Sequence, residues 1–405
     1  MTTMRPIRET IPLEEAIAIV AEATAAIDRV ERVPLREAGG RVIAEAIAAP
    51  TDVPPFDRAA MDGYAVIAAD TFGAGRYEPR VLRCIETVFT GQLPTKRLSA
   101  GECTQIATGA PLPEGADAVV MVEETEKGSN GEIRILTPVY PRQHVGRRGA
   151  DIAAGQFVLA PGELLNPSRI GALAATGATD VAVYERPRVA ILSTGNEVVA
   201  PGQPLGPGQI YDINQYTLSA VIQAHGGTPV VKPTAPDDLR ELTEAVLEAA
   251  SEDLLVFSGG SSVGERDLIL DVLQGSGEVL FHGIAVKPGK PTVFGRVNGR
   301  PVLGMPGYPT SCLSNAYMLL VPMLRRMARL PEHRPQTVRV PLSRRIVSTT
   351  GRHQFYTVRI VDGAAVPAFK ASGDITSMSL ADGYIEISPQ TDIVEAGEMV
   401  EVKFF

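Results

Sequence analysis

Predicted strands and helices alternate through the second half of the chain, and this alternation restricts the fold more than any other feature of the sequence. Apolar runs that favour buried strands lie at Val189–Ser193, Val230–Lys232, Leu254–Ser258 and Val279–Val286. Helices are predicted between and after them, at Ile213–His225, Leu239–Ala250, Leu268–Leu273 and Thr310–Leu330. Because parallel strands need long crossovers, this order predicts a three-layer α/β domain over residues 186–330 with a mostly parallel sheet. Ligands bind such sheets at the carboxyl ends of the strands.

The N-terminal region predicts a small mixed domain that is interrupted by an insertion. A helix with an apolar stripe is expected shortly after Thr10, which suits the N-cap position. A second amphipathic segment spans roughly residues 35–47. A helix over Leu164–Gly177 returns the chain to this region, so residues 1–50 and 146–185 are predicted to form one N-terminal helical and mixed domain.

Two further regions contain short β-rich runs separated by Gly and Pro turns. The first covers residues 51–145 and predicts a small inserted β-rich domain. The second covers residues 331–405 and predicts a C-terminal β-barrel-like domain. The full length of 405 residues exceeds what one hydrophobic core usually supports, so we expect a multidomain protein of α/β and β parts.

Composition excludes several classes of function. The chain is 44% hydrophobic and carries a net charge of −9, which supports a buried core and disfavours a general nucleic-acid or anionic-membrane surface. The N-terminus lacks the apolar run of a signal peptide, and no run approaches the length of a membrane span, so a cytoplasmic protein is expected. Three cysteines without a CxxC pair are predicted to be reduced core thiols: Cys84, Cys103 and Cys312.

A glycine-rich loop follows the apolar strand Leu254–Ser258. Its sequence is Gly259-Gly260-Ser261-Ser262-Val263-Gly264, and such glycines let the backbone approach an anionic ligand near a helix start. The last five residues also match the GxSxG nucleophile elbow, which leaves a serine hydrolase using Ser262 as an alternative. The doubled glycine favours the phosphate-binding interpretation.

A second loop, Lys287-Pro288-Gly289-Lys290-Pro291, presents two ammonium groups on a rigid turn. Lys287 and Lys290 there suit a phosphate or another oxyanion, and two solvated lysines are the alternative interpretation. Pro291 stands where a Walker A loop needs a Ser or Thr for magnesium, so this loop is not a Walker A motif.

Carboxylates recur in the loops of the predicted α/β domain. They belong to Glu197, Asp212, Asp237, Asp238, Glu265 and Asp267. Several carboxylates that converge beside an anion site suit Mg²⁺, which prefers oxygen ligands and bridges to substrate phosphates. Taken singly, each is more often an N-cap or a solvated charge, and Asp238 before a helix is an example.

Three polar loops outside the predicted α/β domain carry more specific residues than simple turns require, although alone they indicate no reaction. These loops include Ala60–Ala65, Thr108–Pro111 and Arg147–Asp151. Together with the segments above they resemble the molybdopterin molybdenumtransferase family, which includes bacterial MoeA and the C-terminal domain of gephyrin. The resemblance covers nearly the whole chain. It is carried in order by Asp52–Asp57, Ala60–Ala65, Thr108–Pro111, Arg147–Asp151, Ser193–Glu197, Ile210–Asn214, Ser258–Gly260, Ser262–Asp267, Lys287–Pro291 and Met305–Pro309.

This resemblance implies a molybdenum insertase of molybdenum cofactor biosynthesis. Such an enzyme transfers molybdate to adenylylated molybdopterin, with Mg²⁺ and release of AMP, on the molybdopterin-binding α/β domain. The resemblance also implies a homodimer whose active cleft lies between the α/β domain of one subunit and the inserted domain of the other. A molybdopterin-adenylating enzyme and molybdoenzymes are the implied partners, whereas nucleic acid and membrane are not.

The family's motifs imply roles for individual residues. Implied catalytic residues are Asp62, Thr108, Asp151, Glu197, Asp237 and Asp267, and the metal ligands among them are Glu197, Asp237 and Asp267. Implied substrate-binding residues are Ser193, Thr194, Gly195, Gly259, Gly260, Ser262, Gly264, Lys287, Lys290, Pro306, Gly307, Ser377 and Ser379.

Three positions depart from the family pattern: Asn196, Tyr308 and His282 stand where members often carry Asp, Asn and Lys. A neutral imidazole attracts molybdate less than an ammonium does, so oxyanion binding falls to Lys287, Lys290 and nearby backbone amides. Two other functions stay open beside the hydrolase, namely a molybdopterin-adenylylating enzyme and a non-catalytic scaffold.

Overall fold

The structure is a computed structural model that describes residues 9–259 and 268–405. The described residues form two compact units. The first contains the described residues up to Glu31, together with Gly40–Val42 and Tyr184–Phe405. The second contains Arg32–Gly39 and Ile43–Val183. The chain is therefore a mixed α/β protein of more than one unit, and the finer division into four domains stays a prediction.

In the first unit, six described strands form a sheet that we call the α/β sheet. Their order is Thr228–Val231, Arg188–Ser193, Leu254–Ser258, Arg300–Met305, Val293–Val297 and Gly277–His282. The first four strands are parallel neighbours, whereas the pairs at the other edge are antiparallel. The hairpin of Val293–Val297 with Arg300–Met305 was not predicted, and the strand predicted over 279–286 is instead two strands, Gly277–His282 and Val286–Lys287.

Alternate residues of the central strands pack into two separate cores. Ile191 and Val256 lie in one core with the helices Leu13–Ala23, Asn214–Ala224, Pro309–Asn315 and Val321–Met327. Leu192 and Phe257 lie in the other core with the helices Leu239–Ala249 and Leu268–Ser276. Because both faces of these strands are covered, the strands are continuous apolar runs, which made their bounds predictable from sequence.

Three local predictions need correction. Pro12, not Thr10, occupies the N-cap position of the first helix, and it makes no side-chain capping bond. The long helix predicted over 310–330 is interrupted by a π-helical segment at Ala316–Leu320. Pro322 follows directly, and because it has no amide hydrogen it removes one helical hydrogen bond there. The amphipathic segment at 35–47 contains only the 3₁₀ turn Leu35–Glu37.

The C-terminal part of the first unit contains a second sheet. Its strand order is Val286–Lys287, His353–Val361, Gly383–Ile387, Met399–Phe404 and Thr337–Pro341, and Ala364–Pro367 pairs with the second of these. Leu342 follows the strand Thr337–Pro341 and forms a bridge to Ala365 of the strand Ala364–Pro367. This bridge closes a ring of strands. Because Val286–Lys287 pairs with His353–Val361, the loop Lys287–Pro291, which we call the lysine loop, is attached to this sheet.

The second unit contains a sheet that we call the inserted sheet. Its order is Ala118–Met121, Gly63–Val66, Glu102–Ile106, Arg80–Val88, Glu132–Ile135 and Thr125–Lys127. The short β-rich runs that the sequence predicts for this region are therefore present as strands. The same unit holds the helix Pro167–Ala175, whose first turn is capped by the Asn166 side chain.

Smaller elements complete the described chain. The short strands are Val30–Pro34, Ile47–Ala48, Arg58–Ala59, Val145–Gly146, Phe157–Leu159, Asp180–Tyr184, Val198–Val199, Ile210–Tyr211, Ile346–Val347 and Ile393–Val394. The short helical turns are Ala68–Thr71, Val122–Glu124 and Thr376–Ser379. Within residues 9–259 and 268–405, no helix is both long and apolar enough to cross a membrane.

Candidate functional site

Three predicted segments meet at the carboxyl edge of the α/β sheet, because their strands are parallel neighbours. Thr194 follows the first of these strands, and its backbone amide donates to Ser258 O at 3.0 Å. Gly259 follows the second, and its amide donates to Met305 O at 3.4 Å. These loops therefore lie at one edge of the sheet, the end at which parallel sheets bind ligands.

A group of buried polar contacts lies beneath this edge, and we call it the polar frame: Ser193, Asp212, Asn214, Ser258 and Gly307. Ser193 Oγ donates to Asp212 Oδ2 at 2.6 Å. Asn214 Nδ2 donates to Ser258 Oγ at 2.6 Å and to Gly307 O at 2.8 Å. The Ser193 hydroxyl is buried and already paired, so it supports this frame, and its predicted role in substrate binding stays a prediction.

Asn214 was not predicted as a site residue, and Asp212 was named only among the carboxylates that suit Mg²⁺ if they converge, although both lie in a segment that carries the family resemblance. Asp212 also accepts from the amide of Gln215 through Oδ1 at 2.9 Å, which satisfies the start of the helix Asn214–Ala224. Their signal in the sequence is the polar run at a helix start. Their partners lie on other strands, so the run alone could not identify what they support.

Glycines allow the loops at this edge to lie against one another. Gly259 has a φ of 113°, and a Cβ added there would lie 2.5 Å from Thr194 O. A Cβ on Gly307 would lie 3.4 Å from the Cα of Gly259. The backbones at Gly259 and Thr194 therefore approach more closely than a larger residue at 259 permits, whereas the Gly307 contact is an ordinary one, and a ligand at this edge meets main chain. Among the described residues, Thr194 Oγ1 is buried without a hydrogen-bond partner.

Two of the three predicted metal ligands lie in loops at the same edge. Gly195 has a φ of 130°, and a Cβ there would lie 2.7 Å from Glu197 Oε2, so the glycine makes room for that carboxylate. The amide of Asn196 donates to Asp237 Oδ2 at 3.5 Å, and both carboxylates are exposed. Asp238 instead caps the helix Leu239–Ala249, which confirms its N-cap interpretation.

The remaining predicted residues of this edge lie outside the described residues. They are Gly260, Ser262, Gly264 and Asp267. The third predicted metal ligand and the serine of the hydrolase interpretation are both among them. Within residues 9–259 and 268–405, no group of three or more His, Cys, Asp or Glu side chains is placed to hold a metal ion.

The lysine loop is a fixed turn. Gly289, with a φ of 109°, packs against Asn315, whose Nδ2 donates to Gly289 O at 2.9 Å. Thr292 Oγ1 donates to the same carbonyl at 2.8 Å. Lys287 is exposed, and its Nζ donates to Thr349 Oγ1 at 2.7 Å. Lys290 is half-buried, and its carbonyl accepts from the amide of Thr292 at 2.9 Å.

The C-terminal loop that carries Ser377 and Ser379 contacts the loop after Met305. The amide of Thr310 donates to Ser372 O at 3.1 Å, and its hydroxyl donates to Asp374 O at 2.9 Å. Pro306 is buried next to this contact, whereas Gly307 and Tyr308 are exposed.

Only one of the two predicted serines in this loop is accessible. Ser379 is exposed, but Ser377 is fully buried, and its Oγ accepts from the amide of Lys370 at 3.0 Å. Ser377 therefore helps to hold the loop together, and its predicted role in substrate binding stays a prediction.

In the second unit, Asp62 and Thr108 form an exposed pair. Asp62 Oδ1 accepts from the Thr108 amide at 2.7 Å and from its Oγ1 at 3.0 Å. These two hydrogen bonds lower the pKa of Asp62 below its ordinary value, and the one from the backbone amide has the larger effect. The pair lies at the end of the strand Glu102–Ile106, beside a cavity that Asp62, Gly63 and Phe89 help to line. Asp62 is therefore a fixed, ionised carboxylate that faces solvent.

Asp151 lies in the same unit, exposed, with its backbone amide donating to Val53 O at 3.0 Å. The preceding Arg148 donates through Nε to Asp52 Oδ2 at 2.6 Å, and its amide donates to Asp57 Oδ1 at 2.7 Å. Hydrogen bonds from the Ala154 amide, which has the larger effect, and from the Arg148 side chain lower the pKa of Asp52. Asp52 and Asp57 were not predicted as site residues; both fix the loop that presents Asp151.

Three family models together match most of the chain. They are the MoeA N-terminal region (domain I and II) over residues 11–177, a probable molybdopterin binding domain over 190–326, and the MoeA C-terminal region (domain IV) over 339–405. The matches place the α/β sheet in the second model and the inserted sheet in the first.

Similar proteins extend over nearly the full length. Molybdopterin molybdenumtransferase 2 of Mycobacterium tuberculosis is 36% identical, over 96% of this chain and 98% of that protein. The molybdopterin molybdenumtransferase of Haemophilus influenzae is 32% identical, over 98% of both. The crystal structure of the molybdopterin biosynthesis MoeA protein from Pyrococcus horikosii has a TM-score of 0.84 and 42% identity, over 98% of this chain and 99% of that one.

Proposed function

Because the chain belongs to the molybdopterin molybdenumtransferase family of transferases, with a role in molybdenum cofactor biosynthesis, we propose that it inserts molybdate into adenylylated molybdopterin and releases AMP. One observation carries this proposal. Gly259 and Gly307 bring main chain together at the carboxyl edge of the α/β sheet, above the polar frame. Such an edge suits a phosphate-bearing ligand, because backbone amides there can bind anionic oxygens.

The charges around this edge fit the proposed reactants. Molybdate and a phosphoanhydride are both anionic, so their encounter is opposed by repulsion. An exposed ammonium such as that of Lys287 offsets part of this repulsion and orients one of the two anions. Positioning and charge stabilisation then suffice, as in phosphoryl transfer, and no side-chain nucleophile is needed.

The carboxylates of Glu197 and Asp237 fit a magnesium ion, because both are exposed oxygen donors on loops joined at this edge. We propose that these two residues, with Asp267, hold Mg²⁺. The ion would neutralise charge on the phosphoanhydride. The chain's own part is to direct the carboxylates at the ligand, and Gly195 leaves room for that of Glu197.

The second unit supplies the other proposed catalytic residues. We propose, from the family resemblance, that the protein is a homodimer in which Asp62, Thr108 and Asp151 of one subunit act on the substrate held by the other. The finer division is part of the same proposal, with a three-layer α/β domain over 186–330 and separate domains over 1–50 with 146–185, 51–145 and 331–405.

The direct test is a release assay. Purified protein is incubated with adenylylated molybdopterin, molybdate and Mg²⁺, and AMP is quantified by chromatography. Release that needs all three additions supports the proposal. Release no faster than in protein-free controls contradicts it. ATP-dependent transfer of AMP onto molybdopterin would instead identify an adenylylating enzyme.

A further inference from the structure

Two cysteines face each other in the inserted sheet. Cys84 lies on the strand Arg80–Val88 and Cys103 on its parallel neighbour Glu102–Ile106, and the two residues are direct partners in register. Both thiols are free, and both side chains belong to the same apolar cluster as Tyr64. Neighbouring strands lie roughly 4.8 Å apart, within the Cα separation that a disulfide spans.

The two thiols have different environments. Cys103 is fully buried, whereas Cys84 is half-buried and its sulfur lies 3.4 Å from Glu86 O. A hydrogen bond from the Cys103 thiol is the largest cause that lowers the pKa of Cys84, to about 6, and the charge of Lys127 adds to it. The same contact raises the pKa of Cys103. Cys84 is therefore the thiolate that an oxidant reaches first, and Cys103 stays a thiol beside it.

We propose that Cys84 and Cys103 form a dithiol site that hydrogen peroxide oxidises to a reversible disulfide. The Cys84 thiolate attacks one peroxide oxygen, which breaks the O–O bond, leaves a sulfenic acid on Cys84 and releases hydroxide. The Cys103 sulfur then attacks the Cys84 sulfur, which forms the S–S bond and expels the sulfenic oxygen. That oxygen leaves as hydroxide and takes the Cys103 proton to give one water. The hydroxide of the first step takes from solvent the proton that Cys84 had released and gives a second water, so two thiol sulfurs are oxidised and one peroxide is reduced to two waters.

This site is independent of the proposed molybdate chemistry, since its geometry involves no residue of the α/β sheet. It lies, however, on the strand Glu102–Ile106, which ends two residues before Thr108, the partner of Asp62. The third cysteine, Cys312, is buried in the helix Pro309–Asn315 of the other unit. Cys312 therefore serves as an internal control for the reactivity of the pair.

The test counts thiols in the full-length chain. The chain has 3 cysteines, so the reduced protein should give three reactive thiols after denaturation. Brief treatment with hydrogen peroxide should reduce this count from three to one, and dithiothreitol should restore it. Trypsin separates Cys84 and Cys103 into peptides 84–96 and 98–127, so mass spectrometry should find these two joined.

Variants identify the two partners. Cys312→Ala should still lose two thiols, whereas Cys84→Ser should lose none under the same treatment. Cys103→Ser should leave a sulfenic acid on Cys84 that dimedone traps; if this buried variant does not fold, the Cys84→Ser result stands in its place. Three thiols that persist in the unaltered chain, or a sulfinic acid on Cys84 beside an unmodified Cys103, would overturn the proposal.

Discussion

The polar frame under the α/β sheet and the Asp62–Thr108 pair of the inserted sheet both fix loops, but they differ in exposure. Asp212 and Asn214 are buried, and their partners come from strands that are distant in sequence. Asp62 is exposed, and its partner is one loop residue. The comparison indicates that the frame contributes to stability and shape together, whereas the exposed Asp62 is available for the chemistry that we propose, with little cost to the fold.

The largest effect is expected for Asp62→Ala. Loss of a fixed carboxylate from the proposed reaction should lower the rate of AMP release by about 10²- to 10⁴-fold. The free energy of unfolding should change little, because Asp62 is exposed. Urea unfolding and the release assay measure the two quantities. Glu123→Ala, an exposed acid nearby, is the control, and equal rates in both variants would refute the role of Asp62.

The next largest effect is expected on acidification, because the two regions should lose stability over different pH ranges. His225 follows the helix that begins at Asn214, and burial first, then His333 and Arg325, lower its pKa to about 4. A histidine whose folded pKa lies below its ordinary 6.5 stabilises the fold above pH 6.5, and this contribution is lost as the pH falls toward 4. The loss should be about 1–3 kcal/mol.

Thermal unfolding from about pH 7.5 to about pH 4 checks this expectation. His225→Leu should have a flatter pH dependence over that range, and an unchanged slope would contradict the assignment. Asp62 differs in the pH range over which it acts. Because its pKa is lowered, its contribution to stability is present above its ordinary pKa of 3.8 and is lost only below that pH.

Gly259→Ala tests the close approach of main chain at the edge. A Cβ there would lie 2.5 Å from Thr194 O at a φ of 113°, so the variant should lose about 1–3 kcal/mol of stability and bind the proposed nucleotide substrate more weakly. Gly171→Ala is the matched control, since nothing lies within 4 Å of its added Cβ. This helical position should gain about 0.5–1 kcal/mol. Similar unfolding curves for the two variants would argue against a strained edge.

The smallest effect is expected for Ser193→Ala. Removing the hydroxyl leaves Asp212 Oδ2 without this buried partner, which should cost about 1–2 kcal/mol in urea unfolding. Ser379→Ala, at an exposed serine, should leave stability unchanged within about 0.5 kcal/mol. If Ser193→Ala instead unfolds like the unaltered chain but binds substrate weakly, then Ser193 is a ligand contact and the frame needs revision.

Sequence reasoning located the strands and the loops far better than the supports. Leu254–Ser258 was predicted with both ends correct, because a strand covered on two faces is a continuous apolar run. The hairpin turn at Asn298–Gly299 was missed, although Asn-Gly between apolar runs is a strong turn signal.

The supports could not be predicted because each depends on contacts between distant segments. Asn315 holds Gly289 from a helix, and Asn214 joins Ser258 to Gly307 across neighbouring strands. In the sequence, such amides are indistinguishable from surface residues. The pairing of Cys84 with Cys103 likewise depends on strand register, which a local pattern does not specify.

A mixing experiment tests most directly whether the two regions serve one reaction. Asp62→Ala and Glu197→Ala chains should each be inactive alone. When equal amounts of the two variants are mixed and exchange subunits, half of the dimers contain one chain of each kind. Each mixed dimer then has one intact site of two, so the mixture should recover about a quarter of the unaltered rate of AMP release. No activity at any mixing ratio would contradict a site that two subunits share.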